Sequence, residues 1–331
     1  MVGDQFLDGV NFLYYAFRRN NWMLDLSRVL SDFSHYRIEK PVFLLGTQGG
    51  GLTLISRMLR RSPQAISVTG NHTYWAGADE MQNVLGPILP PSLTGIKHQA
   101  PPDEIFDIPR GWLYGTDQLI GKYRSDENDV DESDARRFRH ILKWIGSRYS
   151  SGRTENLRFV DKSQLYTVKV AYLNALLEDT DPRFVLVTRN PYAICYRSVD
   201  KARSLQRLAD RFSFQERLSF AAQHWANSMK YALQDSSKAR HFLILGFEDF
   251  LRDPQAQLHD LCSFLDLEFT ENMLPQPGDK FPLGTLRRSR WYPLRVDVND
   301  VYLESIDRES ADIIAERCQL YASQLGYKYP F

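Results

Sequence analysis

Three consecutive glycines stand between an apolar run and a helical pattern near the start of the chain. Residues 42–45 read Val-Phe-Leu-Leu, residues 46–51 read Gly-Thr-Gln-Gly-Gly-Gly, and a helical pattern follows. Glycines let successive backbone N–H groups turn inward together, and the first turn of a helix adds unpaired donors and a positive dipole end. A single glycine would favour a tight turn that binds nothing, whereas three in a row indicate a phosphate-binding loop.

Three other groups of residues that could take part in chemistry each stand at the carboxyl end of a different predicted strand. They are Asn71 and His72, Asp161-Lys162-Ser163, and Arg189-Asn190-Pro191. Ligands of open parallel sheets bind beyond these strand ends. An arginine directly after a buried strand is costly unless it meets an anion, which is either a ligand phosphate or a structural carboxylate. Together with the glycine loop, Arg189 favours the phosphate.

Strand and helix patterns alternate along the chain. The predicted strands cover residues 42–45, 65–68, 158–163, 183–189 and 241–245. Each is followed by a helical pattern or a loop, and Pro191 suits the first position of a helix. The alternation predicts an α/β fold with a mainly parallel central sheet flanked by helices.

No internal repeat or low-complexity linker divides the 331 residues, so we predict a single domain over residues 1–331. Residues 1–38 carry a helical N-terminal pattern. Residues 70–155 begin without a clear period, contain six prolines between residues 86 and 118, and regain a helical pattern at residues 135–149. We expect this irregular and helical insertion on the acceptor side of the site.

Charge and cysteine content limit the classes of ligand and the kinds of structural site that are expected. The 41 basic and 41 acidic residues balance, so no global field favours nucleic acid or an anionic membrane, and a small-molecule partner is expected. The three cysteines are widely spaced and indicate neither a disulfide framework nor a zinc site. With no apolar run long enough to span a bilayer, a soluble, cytoplasmic protein is expected. The sequence is silent on oligomeric state.

The order of three motifs resembles the PAPS-dependent sulfotransferase family. They are the glycine loop, then Arg-Phe-Val-Leu-Val-Thr-Arg-Asn-Pro at residues 183–191, then Phe-Glu-Asp-Phe-Leu-Arg-Asp-Pro at residues 247–254 with Phe-Leu-Asp-Leu at residues 264–267. The resemblance runs from about residue 41 to residue 267. It implies a P-loop NTPase-like fold, PAPS as the sulfate donor, PAP as the product, and no metal.

The resemblance also implies a nucleotide site with two halves. The 5′ half would be the loop of Gly46, Thr47, Gln48, Gly49, Gly50, Gly51, Leu52 and Thr53. Arg189 would bind the 3′-phosphate, with Arg197 or Ser198 near the place where the family has a serine. Arg287 and Arg288 resemble the family's late basic loop, which closes over the nucleotide, although a solvated charge run has the same composition.

The loop departs from the family at Gly49, which aligns with a basic residue. We expect Lys162 to supply the missing positive charge, because a lysine can follow charge onto a leaving phosphate oxygen. A solvated lysine with no role is the alternative.

Sulfuryl transfer also needs a base that removes the proton of the acceptor, and the family uses a His or a Glu. His72 stands at the next strand end, and an imidazole titrates near neutrality. Glu80 is the reserve base and His98 the third choice. The acceptor pocket is predicted to include Tyr74, Trp75 and His98, although the two aromatic residues could equally belong to the core.

The resemblance implies a sulfotransferase that acts on a hydroxyl or amine of a small metabolite, sugar or lipid, and three other functions are alternatives to it. A P-loop kinase is disfavoured because the loop lacks the Gly-Lys-Ser/Thr ending. A nicotinamide-binding domain is disfavoured because the loop fails the G-x-G-x-x-G pattern and no acidic residue follows at the expected distance. A non-catalytic nucleotide-binding protein stays open because Gly49 has replaced the basic residue of the loop.

Overall fold

A computed structural model of the chain describes residues 36–68, 80–84, 106, 113–149, 157–277, 280–282, 288–290 and 293–331. Seven strands are found in these ranges: β1 (Val42–Leu45), β2 (Ala65–Ile66), β3 (Arg158–Asp161), β4 (Arg183–Thr188), β5 (Phe242–Gly246), β6 (Lys280–Pro282) and β7 (Arg288–Arg290). The first five form a parallel sheet in the order β2-β3-β1-β4-β5, and the last two form an antiparallel pair. The predicted α/β fold with a parallel central sheet is therefore confirmed.

The α-helices of the described residues are α1 (Leu52–Leu59), α2 (Met81–Val84), α3 (Ile120–Tyr123), α4 (Glu132–Tyr149), α5 (Val170–Leu176), α6 (Pro191–Lys201), α7 (Arg203–Gln206), α8 (Phe214–Ser236), α9 (Phe247–Arg252), α10 (Pro254–Leu265), α11 (Asp300–Leu303) and α12 (Arg308–Gln324). Short 3₁₀ helices cover Glu127–Asp129, Gln164–Val168, Glu178–Thr180 and Glu271–Met273. Pro191 is the first residue of α6, as predicted, and the Asn190 side chain caps this helix by accepting the N–H groups of Tyr192 and Ala193.

The sheet explains why the strands read as continuous apolar runs. Successive residues of a strand point to opposite faces. In β1, Phe43 and Leu45 pack into the core on one face, whereas Val42 and Leu44 pack into the core on the other. All four are fully buried, and each contributes roughly 1.5–3 kcal/mol relative to exposure. Helices α4, α5, α6, α8 and α12 cover the first face, and α1, α9 and α10 cover the second.

Central placement of β1 decides which strand ends meet the glycine loop. Strand β1 pairs with β3 through Phe43 and Asp161, and with β4 through Leu45 and Leu186. Because the strands are parallel, the residues that follow β3 and β4 flank the loop that follows β1. Lys162 and Arg189 are the first residues after those two strands.

Several predicted boundaries were wrong. Strand β3 ends at Asp161 rather than Ser163, because the Asp161 carboxylate accepts the N–H of Ser163 at 2.7 Å and turns the chain. Strand β2 ends at Ile66, where its pairing with β3 ends. The helical pattern predicted to begin at residue 135 starts earlier, because α4 begins at Glu132, and a 3₁₀ helix precedes it at Glu127–Asp129.

Two predicted segments lie wholly or partly outside the described residues. They are the N-terminal helical segment, up to residue 35, and much of the insertion at residues 70–155. The assignment of residues 1–331 to one domain stays a prediction. In the described ranges, none of the helices combines the length and apolar character that a membrane crossing requires.

Candidate functional site

The glycine loop connects β1 to α1 and is anchored at both ends. At its start, the N–H of Gly46 donates to Thr167 Oγ1 at 2.8 Å, and the Thr167 hydroxyl donates back to the Gly46 carbonyl at 3.2 Å. At its end, Gly51 caps α1 with φ of 96°. A Cβ on Gly51 would lie 2.2 Å from two ring carbons of Phe247, so only glycine is accommodated there.

Arg189 lies against this loop and is almost fully buried. Its Nη1 donates to the Gly49 carbonyl at 2.7 Å, its Nε to Asn299 Oδ1 at 2.8 Å, and its Nη2 to the Val298 carbonyl at 3.0 Å. Its guanidinium carbon is 5.4 Å from the centre of the Phe247 ring. All of these hydrogen-bond acceptors are neutral.

The charge of Arg189 is therefore not cancelled by a carboxylate in contact with it. Within the described ranges, no acidic side chain forms an ion pair with Arg189, so the structural salt bridge considered from the sequence is not what holds it there. Burial, and after it the nearby charge of Arg197, lowers the pKa of Arg189 to about 10. The guanidinium stays protonated at neutral pH. A buried cation of this kind is well suited to an anionic ligand.

Arg197 approaches the same loop from α6. Its Nη1 lies 2.8 Å from the position that a Cβ of Gly49 would take, and Gly49 has φ of 84°. Arg197 is half-buried and makes no hydrogen bond or ion pair with the described residues. A guanidinium from another element thus occupies the space beside Gly49, the position at which the sequence lacks a basic side chain.

Ser198, the other residue considered beside Arg189, is engaged within its own helix. Its hydroxyl donates to the Ile194 carbonyl at 2.6 Å. Of the two neighbours on α6, Arg197 is the one whose side chain reaches the glycine loop.

Glu248 organises the backbone and side chains around Arg189. Its Oε1 accepts the Asn190 N–H at 2.8 Å and the Asn299 side-chain amide at 2.5 Å. Its Oε2 accepts the Tyr327 hydroxyl at 3.1 Å. Asn299 and Tyr327 were missed by the sequence analysis, because nothing in their local sequence points to a strand end more than a hundred residues away. The motif beginning at Phe247 was the available signal for Glu248.

Lys162 and Glu80, predicted as separate catalytic groups, are brought together as a buried ion pair. The Lys162 ammonium donates to Glu80 Oε1, and only 1% of the Lys162 side chain and 8% of the Glu80 side chain are exposed. Gln82 donates to the other Glu80 oxygen at 2.8 Å. Each charge is therefore largely neutralised by the other.

A second set of hydrogen bonds fastens α2 to the end of β3. Asp161 accepts the Met81 N–H at 2.8 Å, and Ser163 Oγ accepts the Gln82 N–H at 3.0 Å. Burial raises the pKa of Asp161 to about 7, against the opposing effect of its hydrogen bonds. These contacts fix the position of Glu80 relative to the strand end.

The remaining site predictions fall outside the described residues or at their edge. His72, Tyr74, Trp75, His98 and Arg287 lie outside them. Arg288 is part of β7, where it pairs with Pro282. In the ranges that are described, no group of three or more His, Cys, Asp or Glu side chains could hold a metal ion.

Comparison with known proteins identifies the family model that matches. The model described as "Sulfotransferase family" matches residues 41–271. No curated protein matches the sequence of this chain.

Two solved structures share the fold at low sequence identity. The sulfotransferase domain of the Synechococcus PCC 7002 olefin synthase is 19% identical, with 88% of this chain and 98% of that chain covered and a TM-score of 0.50. Sulfotransferase STF9 from Mycobacterium avium is 14% identical, with 90% of this chain and 80% of that chain covered and a TM-score of 0.51.

Proposed function

The chain belongs to the sulfotransferase family, and from this premise we propose that it transfers the sulfuryl group of PAPS to a hydroxyl or amine of a small metabolite, sugar or lipid. One observation carries the proposal. Arg189 and Arg197 converge on Gly49, and neither forms an ion pair with a carboxylate in the described part of the chain. Two guanidinium groups beside a glycine loop suit a ligand with two phosphate groups.

The residues present are compatible with this donor. The loop from Gly46 to Thr53 would hold the 5′ end, where the absence of a Cβ at Gly49 leaves room for the Arg197 guanidinium. Arg189 would hold the 3′-phosphate, with Arg287 and Arg288 as further contacts, and Ser198 could join them only by turning its hydroxyl away from the Ile194 carbonyl. An arginine has five N–H donors. The described residues take three from Arg189, which leaves two for a phosphate.

PAPS, when bound, supplies an activated sulfuryl group whose transfer leaves PAP. The chain's own task is to take a proton from the attacking oxygen or nitrogen and to stabilise the negative charge that collects on the departing phosphate oxygen. We assign the second role first to Arg197, because its guanidinium lies at the loop position where the family has a basic residue. Lys162 is the other cation proposed for this role, and its ion pair with Glu80 reduces its net charge at the site.

His72 is the proposed base, with Glu80 in reserve. A proton taken up by Glu80 would break its buried ion pair with Lys162, which is energetically costly. This cost favours His72. The acceptor would be held near Tyr74, Trp75 and His98.

Thermal unfolding with different nucleotides tests the proposal. Adenosine 3′,5′-bisphosphate is expected to raise the unfolding temperature, because a ligand that binds only the folded state stabilises it, whereas ATP and NAD are expected to have little effect. No response to the bisphosphate would overturn the proposed function.

Transfer of labelled sulfate to a panel of acceptors then separates an enzyme from a nucleotide-binding protein. His72→Ala is expected to lower transfer by roughly 100-fold or more with unchanged bisphosphate binding, as loss of a general base does. Undiminished transfer would remove His72 as the base.

A further inference from the structure

A small cavity lies between the glycine loop and helices α6, α7 and α8. Its polar lining consists of Thr47 and Gln48 from the loop, Ser198 from α6, Ser204 from α7 and His224 from α8. The rest of its wall is mainly hydrocarbon, including the ring of Trp225. The cavity has a volume of about 20 Å³, which is enough for one water-sized group.

Two residues that line this cavity each carry a buried polar atom without a hydrogen-bond partner among the described residues. His224 Nε2 and Ser204 Oγ are both buried and make no hydrogen bond with any described residue. Only 6% of His224 and 1% of Ser204 is exposed. Buried polar groups in folded proteins nearly always have a partner, and two such groups on residues that line one cavity make it a candidate site for a small polar group.

The contact made by the other ring nitrogen of His224 determines whether Nε2 is a hydrogen-bond donor or an acceptor. Its Nδ1 accepts the N–H of Gly115 at 3.1 Å. Burial lowers the pKa of His224 to about 4, so the ring is neutral at physiological pH and its single proton must reside on Nε2. His224 Nε2 is therefore a hydrogen-bond donor and not a base.

We propose that this cavity is the subsite that holds one uncharged oxygen of the acceptor, with His224 Nε2–H donating to that oxygen and Ser204 Oγ as the second contact. The assignment of the ligand as the acceptor rests on the proposed function. A hydroxyl or carbonyl oxygen can accept from His224, whereas an ammonium group has no lone pair to offer. The mainly hydrocarbon wall around it suits an oxygen that is attached to a hydrocarbon carbon.

Two substitutions of His224 separate ligand binding from a structural role. In His224→Asn the amide oxygen takes the place of Nδ1 and keeps an acceptor for Gly115, but the donor at the Nε2 position is lost. In His224→Gln the amide nitrogen keeps a donor at the Nε2 position, but the acceptor for Gly115 is lost. Ser204→Ala removes the second contact and leaves the fold without an unpaired hydroxyl, so stability is expected to be unchanged or slightly higher.

The test uses the full chain without donor, and 1-hexanol and n-hexylammonium chloride as probes. Binding is followed by NMR through the His224 Nε2–H resonance in the wild type and through backbone amides around residue 224 in all variants. We expect 1-hexanol to bind, with a dissociation constant raised roughly 3- to 10-fold in His224→Asn and in Ser204→Ala and nearly unchanged in His224→Gln. Hexylammonium is expected not to compete.

Three results would overturn the proposal. They are an ordered water alone in the cavity at saturating 1-hexanol, equal affinity of the wild type and His224→Asn, and equal binding of the ammonium probe. Adenosine 3′,5′-bisphosphate binding is measured on the same samples. Absence of that binding in the wild type would overturn the proposed function alone, whereas unchanged 1-hexanol affinity in His224→Asn would overturn the cavity assignment alone.

Discussion

The Arg197 guanidinium lies beside Gly49, with its Nη1 2.8 Å from the position that a Cβ of residue 49 would take. The two residues are far apart in sequence and are brought together because α6 follows β4, the strand next to β1. A side chain at residue 49 and the present position of Arg197 are mutually exclusive. We therefore interpret the glycine and the arginine as a compensating pair, in which the positive charge has moved from the loop to the neighbouring helix.

Arg189→Lys is expected to weaken binding of adenosine 3′,5′-bisphosphate by roughly 10- to 100-fold, because a lysine cannot reproduce the fork that reaches Gly49, Asn299 and Val298. Isothermal titration calorimetry gives the affinity. Arg252→Lys is the matched control, since Arg252 is exposed and forms a local ion pair with Asp249. Affinity unchanged in Arg189→Lys would show that the fork is not used for the ligand.

Gly51→Ala is expected to destabilise the fold by about 3 kcal/mol or more. The added Cβ would collide with the Phe247 ring, and φ of 96° is strained for any residue with a side chain. Urea unfolding measures the change. Gly121→Ala is the control, because a Cβ there meets nothing within 4 Å and alanine favours the helix. Equal stability of the two variants would contradict this packing.

Lys162→Met and Glu80→Gln are each expected to cost roughly 3–5 kcal/mol of stability, because each removes one member of a buried ion pair. The double variant should cost clearly less than the sum, and a double-mutant cycle of urea unfolding measures the difference. Strictly additive costs would indicate that the two side chains act independently. Lys162 would then again be a candidate for a separate cation that stabilises the leaving group.

Because His224 is buried as a neutral ring, the free energy of unfolding is expected to fall in mild acid. Burial lowers the pKa of His224 from 6.5 to about 4. Between these two values, the imidazole of residue 224 is mostly protonated in the unfolded chain and mostly neutral in the folded chain. The stability contribution is complete above the unfolded pKa and is lost as pH falls toward the folded one. Between about pH 7.5 and about pH 5, the wild type should lose about 2 kcal/mol more than His224→Asn in urea unfolding. An identical loss in both proteins would contradict a buried neutral ring.

Much of the sheet could be predicted from the sequence, because strands buried on both faces leave continuous apolar runs such as residues 183–188. The glycine loop could also be predicted from the sequence. At position 51 the close approach of Phe247 and the positive φ require glycine, so the structural constraint is visible in the residue type. The motif order along residues 41–267 predicted the family, which the family match over residues 41–271 confirms.

The contacts within the site could not be predicted in the same way. Lys162 and Glu80 are 82 residues apart, and their pairing depends on how α2 docks on the end of β3. The approach of Arg197 to Gly49 depends on the direction in which α6 leaves the sheet. His224 reads as one more residue of a long helix, and only the tertiary structure reveals its unpaired nitrogen beside a cavity.

The affinity of Arg197→Ala for adenosine 3′,5′-bisphosphate tests the central claim most directly. Lys201→Ala is the matched control, because Lys201 is an exposed cation on the same helix. We predict that calorimetry finds binding weakened roughly 10- to 100-fold in Arg197→Ala, as expected for loss of a charge-assisted contact to phosphate, and changed less than about 2-fold in Lys201→Ala. Wild-type affinity in Arg197→Ala would contradict the account that this arginine replaces the basic residue missing at Gly49.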